Sequence, residues 1–70
     1  MGLSSLGRAI LIRRTSLGVT QSQLAELAGI SQNTLYKMER GVSNPTIAVL
    51  VKVAEVLGME VKVEVKKQLE

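Results

Sequence analysis

The side chains best suited to chemistry gather between residues 31 and 40, where the sequence predicts a short helix. One face of this helix would carry two amides, a phenol and two cations: Gln32, Asn33, Tyr36, Lys37 and Arg40. An amide side chain pairs bidentately with adenine, and a lysine reaches O6 or N7 of guanine. An ordinary solvated helix mixes Glu and Lys instead, and Glu39 lies off this face. The pattern therefore suits the floor of a DNA major groove.

Further DNA contacts are predicted around this face. Ser31 adds a base contact at the start of the helix, and Tyr36 meets the DNA backbone or a thymine methyl group. The N-terminus of a helix attracts anions, because its first backbone N–H groups are unpaired and its dipole is positive there. Phosphate contacts are therefore predicted for Gln21, Asn44 and Thr46 at two helix starts, with Arg40 nearby.

Composition argues against catalytic chemistry, and we predict that the chain is not an enzyme. The chain has no His, no Cys and no Asp, although hydrolytic enzymes rely on such residues or on paired carboxylates. Without Cys or His the chain also cannot hold zinc, and we predict no metal and no cofactor. Its glycines at 18, 29, 41 and 58 stand singly, in the pattern of helix caps rather than of a phosphate-binding loop.

Two short helices around a tight glycine turn present the polar face. Thr20 and Gln23 form a capping box, and Ser31 is the N-cap of the second helix. Gly29 fits the left-handed conformation that ends the first helix. The predicted helices span residues 20–28 and 31–40, and so short a turn makes them cross steeply. Their inward stripes are Leu24, Leu27 and Ala28 on the first helix, and Leu35 and Met38 on the second.

Helices are also predicted on either side of this pair. The first spans residues 4–17, with Ser4 or Ser5 as its N-cap and Gly18 as its stop. Its inward stripe is Leu6, Ile10 and Leu17. The last spans residues 45–57, with Asn44 as N-cap and Pro45 in the first turn.

The last helix carries more apolar residues than one core can cover. Its predicted core stripe is Ile47, Leu50, Val51, Ala54 and Leu57. A second apolar stripe, Val49, Val53 and Val56, would stay exposed in a monomer. Such a surplus indicates a surface that binds a partner.

Residues 60–66 alternate between charged residues and valines, as in a strand with one apolar face. The valines are Val61, Val63 and Val65. A frayed charged tail or a fifth helix are the alternatives, but three β-branched residues in alternation disfavour a helix. One strand cannot pair with itself, so we predict that it pairs with the same strand of a second chain.

Size and charge agree with a small DNA-binding dimer. Seventy residues form a single domain, residues 1–70, with a helical part at 4–58. So short a chain is only marginally stable alone, and without Cys oligomerisation is the available support. The net charge of +3 lies entirely in the half up to Gly41, as a phosphate-facing half requires. No segment could span a membrane, so we expect a cytoplasmic protein.

Several linked motifs resemble a known family. These motifs are the run GVTQSQLAELAGISQNTL, followed by Glu-Arg-Gly and Asn-Pro-Thr. Over about residues 6–58 the chain is similar to the lambdoid-repressor-like helix-turn-helix proteins of the Cro/C1 or xenobiotic-response-element type. The resemblance implies a four-helix lambda-repressor-like domain, and DNA contacts from Gln21, Gln32 and Asn33. The resemblance also implies an ion pair between Arg14 and Glu39 that locks the first helix to the third. The alternative is that Arg14 and Glu39 are two unrelated surface charges.

Three functions follow from these expectations. The first is a homodimeric, sequence-specific regulator, most simply a repressor, that binds a palindromic site on double-stranded DNA. The second is an antitoxin that binds both an operator and a toxin protein, because small members of the family with a C-terminal strand resemble antitoxins. The third is a protein-interaction module whose helix-turn-helix no longer reads DNA.

Overall fold

The computed structural model describes residues 3–66, with the side chains from Ser5 onward. It contains four helices in chain order: α1 (Leu3–Ser16), α2 (Gln21–Ala28), α3 (Gln32–Arg40) and α4 (Ile47–Val56). The prediction of a mostly α-helical, four-helix fold is confirmed, with every boundary within the usual one or two residues. Ser4 and Ser5 lie inside α1, so neither is its N-cap. None of the helices in this part of the chain is long and apolar enough to cross a membrane.

The predicted caps between α2 and α3 are present. The hydroxyl of Thr20 accepts a hydrogen bond from the Gln23 N–H at 3.0 Å, and the Gln23 side chain accepts one from the Thr20 N–H at 2.9 Å. Gly29 ends α2 with a φ of 72°, in the left-handed region that favours glycine. The Ser31 hydroxyl then accepts from the Thr34 N–H at 3.0 Å. The connection from α2 to α3 is therefore only three residues long, as the spacing predicts.

The core lies where α1 packs on α3 and where α2 packs on both α3 and α4. Its buried members are Ile10, Leu24, Ala25, Ala28, Leu35, Met38, Val53 and Leu57. The prediction that Leu27 is a core residue is wrong, since this residue is 68% exposed. The buried stripe of α2 is centred between Leu24 and Ala25, so Leu27 points away from it. The prediction that Leu17 belongs to the inward stripe of the first helix is also wrong, because α1 ends at Ser16 and Leu17 lies exposed in the following turn.

The start of α4 differs from the prediction by two residues. Thr46, not Asn44, is the N-cap, and its hydroxyl accepts from the Val49 N–H at 3.2 Å. Pro45 consequently lies before the helix rather than in its first turn. Both Asn44 and Thr46 have side chains that could cap, and the chain reaches helical geometry only after the second of them.

The inward face of α4 was assigned only partly correctly from the sequence. Ala54 and Leu57 are buried and Leu50 packs against the core, as predicted. Val53, predicted to be exposed, is fully buried, and Val49 and Val56 are half-buried against the core. Ile47 and Val51, predicted to be core residues, are exposed instead.

Eight of the ten residues of α4 are apolar, so its only polar side is the narrow one formed by Lys52 and Glu55, three residues apart. Val51 lies next to this exposed side, four residues before Glu55, and Val53 lies away from it. The surplus apolar surface of α4 therefore lies around Ile47 and Val51.

Residues 60–66 form no strand within the described chain. They are exposed, and no backbone hydrogen bond joins them to another described residue. The predicted strand requires a second chain as its partner, and pairing between chains stays a prediction. Leu69 and Glu70, whose native status the sequence leaves open, lie outside the described residues.

Gly7 allows α1 to approach the backbone at the end of α3. It is buried, and a Cβ on it would overlap the carbonyl oxygen of Met38 and lie 3.0 Å from the carbonyl carbon of Glu39. Backbone atoms of a helix cannot move aside as a flexible side chain can. Gly7 thus sets how closely α1 and α3 pack.

Replacing Gly7 with alanine should lower the free energy of unfolding by about 1–3 kcal/mol, because overpacking forces the two helices apart. Helix propensity alone predicts the opposite, a gain of about 1 kcal/mol. Urea unfolding of Gly7→Ala decides between the two effects. Ser5→Ala, at an exposed position of the same helix, is the control and should change stability by only a few tenths of a kcal/mol. A Gly7→Ala variant more stable than the wild type would contradict this packing.

Candidate nucleic-acid interface

The polar side chains predicted on α3 share its outer face. Gln32, Asn33, Tyr36, Lys37 and Arg40 are all exposed, whereas the opposite side of the helix is buried through Leu35, Met38 and Glu39. The core contacts of α3 therefore fix which way the helix is turned. The fold brings the five predicted side chains together on one accessible surface, which we call the α3 face.

Within the α3 face, Tyr36 and Arg40 contact each other one helical turn apart. The guanidinium carbon of Arg40 lies 5.4 Å from the centre of the Tyr36 ring. This is a cation–π contact, which favours an Arg over an exposed aromatic ring by about 0.5–1 kcal/mol. From the sequence these residues were assigned separate roles and the contact was not predicted, although their spacing of four residues was a signal for it. The contact holds the Arg40 charge near Tyr36 at the C-terminal end of α3.

Ser31 takes part in the helix cap rather than standing free. Besides accepting from the Thr34 N–H, its hydroxyl donates a hydrogen bond to the Thr34 hydroxyl at 2.8 Å. Both the donor and one acceptor position of Ser31 are occupied in this structure. A base contact by Ser31 would have to use its remaining lone pair or replace the bond to Thr34.

Arg14 and Glu39 form a buried, two-pronged ion pair between α1 and α3. Nε of Arg14 lies 2.7 Å from Oε2 of Glu39, and Nη2 lies 3.0 Å from Oε1. The residues are only 9% and 7% exposed. The third guanidinium nitrogen, Nη1, donates to the Val19 carbonyl at 2.8 Å. The ion pair therefore joins α1, the turn before α2, and the end of α3.

Gln21, the first residue of α2, joins the same network. Its side-chain N–H donates to Oε1 of Glu39 at 2.9 Å. Sequence reasoning placed this amide on a phosphate and missed its contact with Glu39, which depends on how α2 and α3 pack. An amide nitrogen carries two hydrogens, so one donor remains for a further partner. The network fixes the N-terminus of α2 relative to α3.

Other polar groups surround the α3 face less closely. Asn44 and Thr46 are exposed before α4, and the Thr46 hydroxyl caps that helix. Nε of Arg13, to which the sequence analysis gave no role, donates to the Leu57 carbonyl at 2.9 Å and so ties α1 to the end of α4. In the part of the chain that the structure describes, no cluster of His, Cys, Asp or Glu could hold a metal ion.

Comparison with known proteins establishes the family. Residues 10–62 match the helix-turn-helix family, and the chain belongs to this family, of the Cro/C1 type. Among curated relatives, the chain is 41% identical over 56 residues to the HTH-type transcriptional regulator SlrR of Bacillus subtilis. The aligned residues are 79% of this chain and 37% of SlrR. The chain spans only 16–55% of the length of the first curated relatives that it matches.

Solved structures share the fold as well. The restriction-modification controller protein C.AhdI of Aeromonas hydrophila superposes with a TM-score of 0.79 at 31% identity, covering 83% of this chain and 88% of that one. The biofilm regulator SinR, solved in complex with DNA, superposes with a TM-score of 0.74 at 38% identity, covering 79% of this chain and 89% of SinR.

Proposed function

We propose that the chain is a sequence-specific DNA-binding transcriptional regulator that reads the major groove with α3. The observation that carries this proposal is the α3 face: amides and cations stand exposed on one side of a helix whose other side is buried. The names of the relatives support it, because SlrR is an HTH-type transcriptional regulator and SinR was solved with DNA.

We assign direct base contacts to Gln32, Asn33 and Lys37, whose side chains match donor and acceptor patterns in the major groove. Tyr36 meets the DNA backbone or a thymine methyl, and Ser31 adds a contact where the helix begins. The phosphate contacts are Gln21, Arg40, Asn44 and Thr46. Gln21 keeps one amide hydrogen for a phosphate while the other bonds Glu39.

We further propose that the regulator is a homodimer. The surface left over on α4, together with the valines of residues 60–66, is apolar and exposed, and a second copy would cover it. Of the interface predicted from α4, Val53 is excluded by its burial, and Val49 and Val56 could contribute only at their exposed edges. Ile47, Val51, Val61, Val63 and Val65 form the revised interface.

A two-fold dimer relates its two α3 helices by the same axis. For both to enter successive major grooves they must lie about 34 Å apart, so the site should be a palindrome with half-sites about ten base pairs apart. A protein bound at such an operator excludes other proteins from the same DNA. Repression is therefore the simplest action of this regulator.

Removing a phosphate-binding cation tests the proposal. Arg40→Ala should weaken binding to all DNA sequences about equally and reduce the slope of log affinity against log salt concentration by about 2, or about 1 for each protomer of the dimer. Lys52→Ala, which removes an exposed cation from α4, is the matched control and should leave both unchanged. Fluorescence anisotropy over a series of salt concentrations measures both quantities. An Arg40→Ala variant with the slope of the wild type would contradict the assigned phosphate contact.

A further inference from the structure

An apolar groove runs between α1, α4 and the C-terminal segment, by which we mean residues 60–66. Its volume is about 500 Å³, and its apolar walls include Leu6, Ala9, Ile47, Leu50, Val61 and Val63. The valines of the C-terminal segment are themselves uncovered: Val63 is 94% exposed and Val65 is 97% exposed. A row of exposed valines thus begins at the groove and continues beyond it.

The charged residues of the segment alternate with these valines in a fixed order: Glu60, Lys62, Glu64 and Lys66. Nζ of Lys62 lies 3.7 Å from Oε1 of Glu60, so both side chains lie on the same side of the segment. This is the side-chain arrangement of an extended chain, in which residues two apart share a face. The sequence continues the same alternation through Glu64 and Lys66, so an extended conformation would give the segment one apolar and one charged face.

We infer that the C-terminal segments of two copies pair as an antiparallel ribbon whose two-fold axis passes through Val63. The inference rests on the homodimer proposed above and specifies its register. In this register Val63 lies opposite itself, and Val61 lies opposite the partner's Val65. Lys62 lies opposite the partner's Glu64, and Glu60 lies opposite the partner's Lys66. All seven residues then face a complementary residue.

Neighbouring registers lack this complementarity. An axis through Lys62 places two lysines opposite each other and Glu60 opposite the partner's Glu64. An axis through Glu64 places two glutamates together and Lys62 opposite the partner's Lys66. Like charges directly opposite each other destabilise an antiparallel pair. A parallel pair in register likewise sets every charge beside its own copy.

Other shifts lose apolar contacts or length. A shift that puts the axis between two residues places each valine opposite a charged residue, because directly opposed residues share a face. An axis through Val61 keeps the charges matched, but only residues 59–63 can pair before α4 and its terminal turn intervene. An axis through Val65 places Val63 opposite the partner's Lys67. Of the registers compared, only the one centred on Val63 places every residue of the segment opposite a complementary residue.

The groove supplies the support that such a ribbon needs. A two-stranded ribbon alone is marginally stable in water, and packing against helices stabilises it. In the Val63 register, the valines of both copies lie on one face of the ribbon. The start of the segment already lies at the groove, which Glu60, Val61, Lys62 and Val63 all line, and in the ribbon the valine face turns toward its apolar walls. Formation of the ribbon therefore covers two surfaces at once, the valines of the C-terminal segment and the apolar walls of the groove on α1 and α4.

Single cysteines test the register, because the chain has no cysteine of its own. Directly opposed residues of an antiparallel pair have Cα atoms about 4.5–5.5 Å apart, within the range that a disulfide spans. Val63→Cys should therefore form a disulfide-linked dimer under mild oxidation. Val61→Cys alone and Val65→Cys alone should not, since each lies about 13 Å along the ribbon from its own copy. Mixing the two variants should produce a linked heterodimer.

The three positions lie on the same face, and Val65 matches Val63 in exposure, so random collision of a free tail would link Val65→Cys as readily as Val63→Cys. That result, or linkage of Val61→Cys alone, would overturn the register. Sedimentation of the wild-type chain at tens of micromolar separates this failure from failure of the dimer. A wild-type dimer without linkage at residue 63 leaves the proposed dimer standing and rejects the ribbon. A wild-type monomer rejects both.

Discussion

Glu39→Ala is expected to lower the free energy of unfolding by about 3–5 kcal/mol, because it leaves the Arg14 guanidinium buried without its counter-charge. Glu39 accepts two hydrogen bonds from Arg14 and one from Gln21, and all three are lost. Total stability is about 5–15 kcal/mol for natural domains, and a 70-residue chain lies at the lower end of that range, so this variant should retain little stability at room temperature. Urea unfolding at a fixed protein concentration measures the change.

The double variant identifies the cause of that loss. Removing Arg14 and Glu39 together should cost less than the two single losses added, because no unpaired charge then stays buried. Glu26→Ala, which removes an exposed carboxylate from α2, is the matched control and should lie within about 0.5 kcal/mol of the wild type. Additive losses for Arg14 and Glu39 would show that the pair has no coupling energy, contrary to its short distances.

Gln32→Ala is expected to weaken binding to the operator by about 1–3 kcal/mol, or about 5- to 150-fold, for each half-site, because a bidentate amide–adenine pair is lost in each. The loss should be confined to one base-pair position, the same in both half-sites. An operator changed at that base pair should bind the wild type more weakly and bind Gln32→Ala no worse than before. Titrating both proteins against both DNA sequences measures this difference.

Arg40→Ala provides the contrasting result for Gln32→Ala. Both variants lose an exposed side chain of α3, but only the cation is assigned to phosphate, so only the amide variant should lose sequence preference. If Gln32→Ala weakened binding to every sequence equally, the direct base contact assigned to Gln32 would be wrong.

Local signals in the sequence predicted much of this fold. The capping box of Thr20 and Gln23, the cap at Ser31 and the glycine at 29 are set by neighbouring residues, so the turn between α2 and α3 follows from the chain itself. The polar residues of α3 were assigned to one face for a similar reason: the helix has charged and apolar sides that its period separates. The pairing of Arg14 with Glu39 came from resemblance to the family, not from local signals.

The parts that the sequence could not predict depend on packing between distant elements. α4 is apolar except for Lys52 and Glu55, so its sequence marks the outward side only weakly. The packing of α4 against α2 gives the burial of Val53 and the exposure of Val51. The bond from Gln21 to Glu39 and the bond from Arg13 to Leu57 join residues far apart in the chain. For Gly7, helix propensity alone indicates only a less stable helix, whereas the structure shows a close approach to α3 that no neighbouring residue predicts.

Selection of binding sites from a random-sequence DNA library tests the central claim most directly. If α3 reads the major groove in a two-fold dimer, the wild-type chain should enrich inverted repeats at one fixed spacing, with half-sites about ten base pairs apart. Enrichment of no sequence, with only weak and salt-sensitive binding, would contradict this account. The helix-turn-helix would then belong to a protein-interaction module rather than to a regulator that reads DNA.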